Sequence, residues 1–429
     1  MTADHSGTPR DIAQVQLAQA AYIRENFPDL AIYPVPAAGG PQAGDFFYRR
    51  GHLMTRRDDA GRVLAALGPA GPLGAGEVTR LAGGLAHIRF GPHPSGDLAA
   101  EHEALYASLA AAHDQLGPGV VSPDHLVFVT PAGFCPATEP DFVPADAAPS
   151  PPVSPSTCCT GAGVRVAVVD TGLIPDAPAR HPWLAGVTGD EDLEVSEGAS
   201  LVRYGGHGTF IASIIRAMAP QAEVRVHRLF ERAGAIYESE LVRALDEVMA
   251  WSPDVISLSA GTHTWRHHGL LSFSSFVAGP LRARGDQAVL VAAAGNDGQD
   301  WKFSPAELDG VIGVGALNRE LTGRAWFSDY GDWVSVYAPG EDLVHAFARG
   351  AYTYMERPEP GKAQFEGMAR WSGTSFATPV VAGLIAARVS GTGQSPRAAA
   401  SDLLELAAAQ ALAGLGPVLL PGDGCPHQR

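Results

Sequence analysis

Four polar residues that lie far apart in the sequence could together carry out acyl transfer. They are Asp170, His207, Asn296 and Ser375, and each stands where an apolar stretch ends or a helical stretch begins. A carboxylate can orient a histidine, the histidine can act as general base for a serine hydroxyl, and an amide can donate a hydrogen bond to the resulting oxyanion. Each residue alone is also an ordinary turn or helix-capping residue. Their combination predicts a nucleophilic serine centre.

The serine of this set lies in the stretch WSGTSFATPVVAGLIAA, residues 371–387. Its small and apolar residues predict a buried helix. Pro379 is tolerated early in that helix because the first N–H groups have no partner within it. The free amides and the helix dipole at this end favour negative charge. We therefore expect Ser375 at the mouth of a core helix, with its backbone amide facing the oxyanion.

The C-terminal part of the chain must position these residues, and its pattern predicts a parallel sheet. Short, nearly all-apolar strands are expected at 164–170, 223–230, 254–261, 288–295 and 311–317, with helices such as 207–218 and 238–251 between them. Strands that are apolar on both faces indicate a sheet covered by helices on both sides. Reactive groups in such α/β folds lie at the carboxyl ends of strands, where Asp170 and Asn296 stand.

The first 135 residues predict a smaller α+β domain. Helices are expected at 9–26 and 97–116, strands at 84–90 and 124–130, and a β-hairpin with its turn in the DDAG sequence at 58–61. Residues 136–162 contain seven prolines between 136 and 155 and predict an extended, semi-rigid linker. The larger α/β domain is then expected to cover residues 163–429.

Composition limits the possible partners and locations. The chain of 429 residues is 46% hydrophobic and has a formal net charge of −16, which argues against a nucleic-acid partner. An apolar run long enough to span a bilayer is not visible, and the first residues lack the apolar segment of a secretory signal. We therefore expect a cytoplasmic location and no membrane contact.

The four cysteines are too few for a disulfide scaffold and lack zinc-finger spacing. They are Cys135, Cys158, Cys159 and Cys425. We expect reduced thiols, with a link between Cys135 and one member of the adjacent pair left open.

Residues 164 to about 390 resemble the subtilases, the subtilisin-like serine endopeptidases. The resemblance runs through VAVVDTG, GGHGTFIAS, VISLSAG, AAAGNDG and SGTSFATPVVAG, and the Asp, His and Ser motifs follow one another in the subtilisin order. It implies a three-layer α/β/α fold with a mainly parallel, seven-stranded sheet. It also implies hydrolysis of peptide bonds through an acyl-enzyme.

The resemblance also implies a role for each residue of the centre. Ser375 would be the nucleophile, and its backbone N–H would share the oxyanion hole with the Asn296 side chain. His207 would be the general base and then the general acid, and Asp170 would hold its ring. The chemistry would need no cofactor. Many family members bind structural calcium, and calcium binding is one alternative for the acidic run at 190–198. That run lacks calcium-ligand spacing, so a solvated loop is expected and no metal ligand is predicted.

The family's substrate-binding positions follow in the same way. The backbone at Ser259, Ala260 and Gly261 would pair with the substrate as an added strand. Ala293, Ala294 and Gly295 would line the specificity pocket.

Three supporting positions depart from the family pattern. Phe210 and Ser213 replace a histidine and a glycine behind His207, and Phe376 follows the nucleophile where methionine is more common. These changes alter side-chain volume and leave the catalytic groups in place. We expect them to affect packing and the rim of the site.

Two further stretches bear on access to the site. At the base of the pocket, DGQDWKFSP (297–305) carries Trp301, Lys302 and Phe303 in place of small residues, which predicts a restricted P1 site. Lys302 is hypothesised to favour an acidic or unusual P1 side chain, the alternative being a solvated loop lysine. Residues 341–370 are either a lid over the cleft or a surface insertion.

The N-terminal domain has two possible roles. It is either a propeptide that assists folding and inhibits the site, or a permanent module that selects a protein substrate or docks to a partner. The overall prediction is a serine endopeptidase acting on proteins or peptides. A catalytically silent binding protein with the same fold, and a zymogen awaiting an activator, are the alternatives.

Overall fold

The computed structural model of the chain describes residues 21–33, 46–68, 76–90, 97–129, 138–195, 200–230, 233–354 and 361–426. The predicted helix at 9–26 falls within these residues only from residue 21, and 21–26 is helical. Cys135 lies outside them.

The strands and helices are numbered in chain order. The strands are β1 (Leu30–Tyr33), β2 (Phe46–Arg56), β3 (Gly76–Arg80), β4 (Leu85–Phe90), β5 (Val121–Phe128), β6 (Asp141–Phe142), β7 (Arg165–Asp170), β8 (Thr188–Gly189), β9 (Ser200–Leu201), β10 (Glu223–Arg228), β11 (Ala235–Tyr237), β12 (Val255–Leu258), β13 (Val289–Ala293), β14 (Val311–Leu317), β15 (Val336–Pro339), β16 (Leu343–Thr353) and β17 (Lys362–Trp371). The helices are α1 (21–26), α2 (Ala60–Leu67), α3 (Leu98–Leu116), α4 (Ala177–Arg180), α5 (His207–Met218), α6 (Glu238–Ala250), α7 (Leu271–Phe276), α8 (Thr374–Thr392) and α9 (Pro396–Ala409).

The C-terminal part contains a seven-stranded parallel sheet with the order β15-β14-β13-β12-β7-β10-β8. Its strands are short and almost wholly buried, because side chains on both faces pack against helices. The chain runs from β7 to one side of the sheet and later crosses to β12 on the other side. This switch point beside β7 is where α/β proteins form their sites.

Helices cover both faces of this sheet, which confirms the predicted three-layer α/β/α fold. One apolar core joins the sheet to α5, α8 and α9. A second core on the opposite face joins it to α6 and α7. All five predicted strands and the two predicted helices are present, with ends shifted by at most a few residues.

The N-terminal part is an antiparallel sheet with helices, as predicted for an α+β unit. The sheet has the order β5-β2-β4-β3, with β1 paired to β2, and α2 packs on α3. The predicted hairpin at 58–61 is wrong, because Arg57–Asp59 form a 3-10 turn that leads into α2. Ala60, Val63 and Leu67 recur at helical spacing and are buried, so the RVLAAL stretch packs as a helix.

The two parts of the chain share backbone hydrogen bonds. Strand β11 of the C-terminal part pairs with β5 and so extends the N-terminal sheet. The described portion of the predicted linker, 138–162, lies against the C-terminal part, where β6 pairs with β17 and Ser150 bridges Val344. The division into domains at 135 and 162 stays a prediction.

The stretch 341–370 forms most of an antiparallel hairpin of β16 and β17. It belongs to a four-stranded sheet with the order β6-β17-β16-β9. The end of β17, Trp371, leads directly into the serine motif at the start of α8, so this hairpin is tied to the candidate site.

The C-terminal tail returns to the start of the α/β part. Cys159 and Cys425, 266 positions apart in sequence, form a disulfide with a Cα–Cα distance of 5.5 Å. The prediction of reduced thiols is therefore wrong for these two residues, because the tail brings a distant cysteine back to the adjacent pair. Cys158 is an exposed free thiol. Among the residues described, we find no helix that is long and apolar enough to cross a membrane.

Candidate functional site

Asp170 and His207 form a buried, hydrogen-bonded pair. Asp170 is the last residue of β7, and His207 is the first residue of α5 after Gly206, whose φ of 86° favours glycine. His207 Nδ1 lies 2.8 Å from Asp170 Oδ1, which also accepts the Thr171 N–H. His207 Nε2 has no hydrogen-bond partner among the described residues. The carboxylate thus orients the ring, and Nε2 remains available for proton transfer.

A second carboxylate holds the residues that flank this pair. Asp192 Oδ2 accepts hydrogen bonds from Thr171 Oγ1 (3.0 Å) and from the N–H of Gly206 (2.8 Å). Its other oxygen accepts the Glu194 N–H. Asp192 is fully buried, and burial raises its pKa to about 6. The expectation that 190–198 is a solvated loop is therefore wrong for Asp192, because these donors replace its hydration.

Asn296 contacts the mouth of α8 at Thr374, the residue before Ser375. The N–H and the hydroxyl of Thr374 both donate to Asn296 Oδ1, at 2.8 and 2.9 Å. Because these bonds occupy the amide oxygen, the amide nitrogen is the donor end that faces away from Thr374. The Ser259 hydroxyl donates to the Ser375 carbonyl at 2.7 Å. Hydrogen bonds therefore link the start of α8 to the residues that follow β12 and β13.

The departures Phe210 and Phe376 lie together behind His207. Their ring centroids are 4.6 Å apart, and the His207 ring contacts Phe376 at 5.3 Å and Trp371 at 5.4 Å. The two larger residues therefore fill one shared volume, which explains how both fit without displacing His207. Ser213, the third departure, accepts the Trp183 indole N–H at 2.8 Å. Its hydroxyl also contacts buried His345, whose pKa burial lowers to about 3.

The end of β5 lies in the cleft beside Ser375. Phe128 and Gly261 exchange two backbone hydrogen bonds, of 3.1 and 2.8 Å, and the Val129 N–H donates to the Gly234 carbonyl at 2.9 Å. The segment Leu126–Val129 is thus paired on both sides, with β11 and with the predicted substrate-binding strand. Ser375 Oγ donates to the Val129 carbonyl at 3.3 Å. No feature of the sequence indicates this placement, because the pattern of a strand does not show which strand it pairs with.

The chain returns to the site at residue 138. The Trp371 indole N–H donates to the Thr138 carbonyl, and the Tyr352 hydroxyl donates to Glu139 at 3.1 Å. Val129 therefore lies beside Ser375, and Thr138 lies beside the tryptophan that packs on His207. These two residues bound the stretch 130–137.

The predicted pocket residues lie on two facing walls. Ser259, Ala260 and Gly261 follow β12, whereas Ala293, Ala294 and Gly295 end and follow β13, and all six are buried. The Phe303 ring fills the space between the walls. A Cβ on Gly261 would lie 2.3 Å from Phe303 Cε1, and a Cβ on Gly295 would lie 3.0 Å from Phe303 Cγ. The Lys302 side chain is exposed, which agrees with the alternative that it is a solvated lysine in a loop.

A doubly covered parallel sheet with an aspartate, a histidine and a serine gathered at its carboxyl edge defines a subtilisin-like α/β protein. The chain belongs to the subtilase family (Peptidase S8), whose family model matches residues 161–421. The resemblance seen in the sequence motifs is confirmed.

Named relatives agree with this assignment. A thermophilic serine proteinase of Bacillus sp. (strain AK1) is 32% identical over 236 residues, which cover 52% of this chain and 51% of that protein. An intracellular serine protease of Paenibacillus polymyxa is 28% identical over 240 residues, covering 53% and 66%. The matched regions span about half to two thirds of these relatives. Fervidolysin from Fervidobacterium pennivorans, a keratinolytic enzyme related to subtilisin, shares the fold, with a TM-score of 0.55, 18% identity, and coverage of 88% of this chain and 61% of that one.

Proposed function

We propose that this protein is a serine endopeptidase that hydrolyses peptide bonds through an acyl-enzyme, and that its N-terminal part inhibits the site until the chain is cut. The observation that carries the proposal is the hydrogen bond from the Ser375 hydroxyl to the Val129 carbonyl. Val129 ends a segment that pairs with Gly261 as an added strand. Strand addition is a general mode of peptide binding. The cleft therefore holds a piece of its own chain in the way it would hold a substrate.

The chemistry assigns one task to each residue of the centre. His207 Nε2 takes the Ser375 proton as Oγ bonds to the carbonyl carbon, and the imidazolium then gives that proton to the leaving amine. Asp170 keeps Nδ1 protonated and stabilises the imidazolium. The Ser375 N–H and the Asn296 amide donate to the oxyanion. Water then attacks the acyl-enzyme with His207 again as base, which releases the acid and restores Ser375.

Phe303 gives the proposed peptidase a preference for small P1 side chains. Its ring occupies the volume between Gly261 and Gly295 and is fully buried. A large P1 side chain would have to displace this ring, whereas alanine, serine or threonine needs little depth. Lys302 is exposed, so the proposal gives it no part in selecting P1.

The contacts on either side of 130–137 support the inhibitory role. Val129 holds the chain at Ser375, and Thr138 holds it at Trp371. Cleavage within 130–137 would remove the covalent link between the strand end and the C-terminal part, so the N-terminal part could then dissociate. The residues from 138 onward would stay with the C-terminal part, where β6 and Ser150 pair. We propose that this cleavage is the activating step.

Two measurements on the full chain test the proposal. Intact mass should reveal cleavage within or near 130–137 in the wild type and an intact chain in Ser375→Ala. A fluorophosphonate probe should label the cleaved wild type and fail to label Ser375→Ala, with Ser401→Ala, an exposed serine on α9, as the control that labels normally.

Other outcomes would contradict one half of the proposal or the other. Rapid labelling of uncut wild type would exclude inhibition by the N-terminal part. Absence of labelling both before and after cleavage by an added protease would favour a catalytically silent binding protein.

A further inference from the structure

Three residues form a buried polar cluster beneath the specificity pocket. His263 lies two residues after Gly261, Asp297 directly follows Asn296, and Asp329 lies in the loop between β14 and β15. Their possible metal-ligand atoms all lie within 4.8 Å of one another. The acyl-transfer chemistry assigns no role to any of the three.

Two hydrogen bonds orient the His263 ring. Its Nδ1 lies 3.2 Å from the Lys302 carbonyl oxygen, which can only accept, so Nδ1 carries a hydrogen. Its Nε2 lies 2.9 Å from Asp297 Oδ2, which also accepts, so without a metal ion the ring carries both hydrogens and pairs with Asp297. A metal ion would replace the Nε2 hydrogen and leave Nδ1 donating to a backbone carbonyl, which is the orientation of a metal-ligating histidine.

Each of the two carboxylates has one oxygen that accepts no hydrogen bond from the described residues. Asp329 Oδ1 accepts the N–H groups of Asp297 and Gln299, at 3.0 and 2.9 Å, whereas Asp329 Oδ2 has no partner within the described ranges. The same is true of Asp297 Oδ1. Asp329 is fully buried and the Asp297 side chain is 1% exposed. Buried carboxylates normally require a cation or several donors.

Glycine at position 295 is what allows Asp329 to reach this position. A Cβ on Gly295 would lie 2.1 Å from Asp329 Oδ2, and its φ of 107° is itself unfavourable for other residues. The carboxylate therefore packs directly against the backbone of the pocket wall.

We propose that His263, Asp297 and Asp329 bind a divalent first-row transition metal ion, with Zn²⁺ as the representative ion. One imidazole and two carboxylates are a donor set that suits such an ion, and two carboxylates balance its charge. Bonds of about 2.1 Å bring ligand atoms to roughly 3–4 Å apart, which small side-chain rotations achieve here. Three protein ligands leave room for a water molecule.

The ion would fix the geometry of the pocket. It joins the segment that follows β12, the segment that follows β13 and the loop before β15, and these segments carry both pocket walls. This role is structural and lies outside the proposed acyl transfer, so the site is testable in inactive protein.

The test uses full-length Ser375→Ala protein freed of metal by a chelator. Titration calorimetry with ZnCl₂ alone should give one saturable site, and Asp329→Asn should weaken it by at least about 10-fold. That variant keeps an oxygen for the N–H groups of Asp297 and Gln299 while removing the unpartnered anionic oxygen. Asp300→Asn, an exposed acid in the same region, should bind as the parent does. All of these proteins also carry Cys158→Ser, so that zinc binding by this free thiol does not contribute to the titration.

Crystals of the same protein soaked in ZnCl₂ provide a second measurement that needs no cluster variant. An anomalous peak within bonding distance of His263 Nε2 and both carboxylates supports the proposal. A peak only at other positions, or no saturable binding in the calorimeter, overturns it. Failure here leaves the fluorophosphonate result unaffected, so the two proposals fail separately.

Discussion

The Ser375 hydroxyl donates a hydrogen bond to the main-chain oxygen of Val129, which belongs to the N-terminal part of the same chain. The segment that ends at Val129 is paired on both sides, with β11 and with Gly261. The candidate nucleophile therefore faces a peptide carbonyl rather than open solvent. Any substrate that used the same strand addition would have to displace this segment. The proposed inhibition of the uncut chain rests on that competition.

Asp170→Asn is expected to lower kcat by about 10⁴-fold. The asparagine amide can present its NH₂ group to His207 Nδ1, which would place the ring hydrogen on Nε2 and prevent this atom from accepting the Ser375 proton. Hydrolysis of a peptide substrate by chain cut with an added protease measures the effect. Asp176→Asn, on the loop after β7, should retain activity. Full activity of Asp170→Asn would show that the carboxylate does not orient the base.

The location of this centre could be predicted from the sequence, whereas its surroundings could not. Asp170 and Asn296 follow all-apolar strands, and parallel strands bring their carboxyl ends to one edge of the sheet. Asp192 and Asp329 could not be predicted in this way. Each accepts hydrogen bonds from residues distant in sequence, which only the folded chain brings together. Their neighbours in the chain give no periodic or motif signal.

The N-terminal part illustrates a second limit. The DDAG sequence favours a turn, and it does turn, but the residues after it bury Val63 and Leu67 at helical spacing. Burial of that helical face against α3 decides the structure, and local turn preference does not. The bridge between Phe128 at the end of β5 and Gly261 joins the N-terminal and C-terminal parts, and strand propensity does not encode such a contact.

Phe303→Ala is expected to widen the P1 preference. Removing the ring opens the space between Gly261 and Gly295, so kcat/KM for peptides with P1 phenylalanine or leucine should rise at least about 10-fold relative to P1 alanine. A P1 series on the cut enzyme measures this ratio. Lys302→Ala should leave the ratio unchanged. An unaltered ratio in Phe303→Ala would mean that another residue limits the pocket.

Acid is expected to weaken the contact between the N-terminal part and the rest of the chain. His268 Nε2 lies 3.2 Å from His113 Nδ1 of α3, and this pair needs one donor and one acceptor. Burial, and then the charges of His113, Arg266 and His267, lower the pKa of His268 from its ordinary value of 6.5. The separated form therefore binds protons more strongly. Association is strongest above about pH 6.5 and is lost progressively below it.

Dissociation of the cut N-terminal fragment from Ser375→Ala protein, cleaved by an added protease, measures this dependence. The fragment should leave faster at pH 5 than at pH 7.5. His268→Asn should flatten the profile, because the pair then loses one titrating ring. An unchanged profile in His268→Asn would assign the acid effect to other groups.

Asp192→Ala is expected to lower kcat by about 10- to 100-fold with little change in KM. The Asp192 carboxylate accepts hydrogen bonds from Thr171 and Gly206, the neighbours of Asp170 and His207. Without it, Asp170 and His207 are held less firmly in their catalytic alignment. The unpaired donors also cost about 1–3 kcal/mol of stability. Peptide hydrolysis and thermal unfolding separate the two effects, and Glu191→Gln, at an exposed neighbouring position, is the matched control. A lowered unfolding midpoint with unchanged kcat would restrict Asp192 to a structural role.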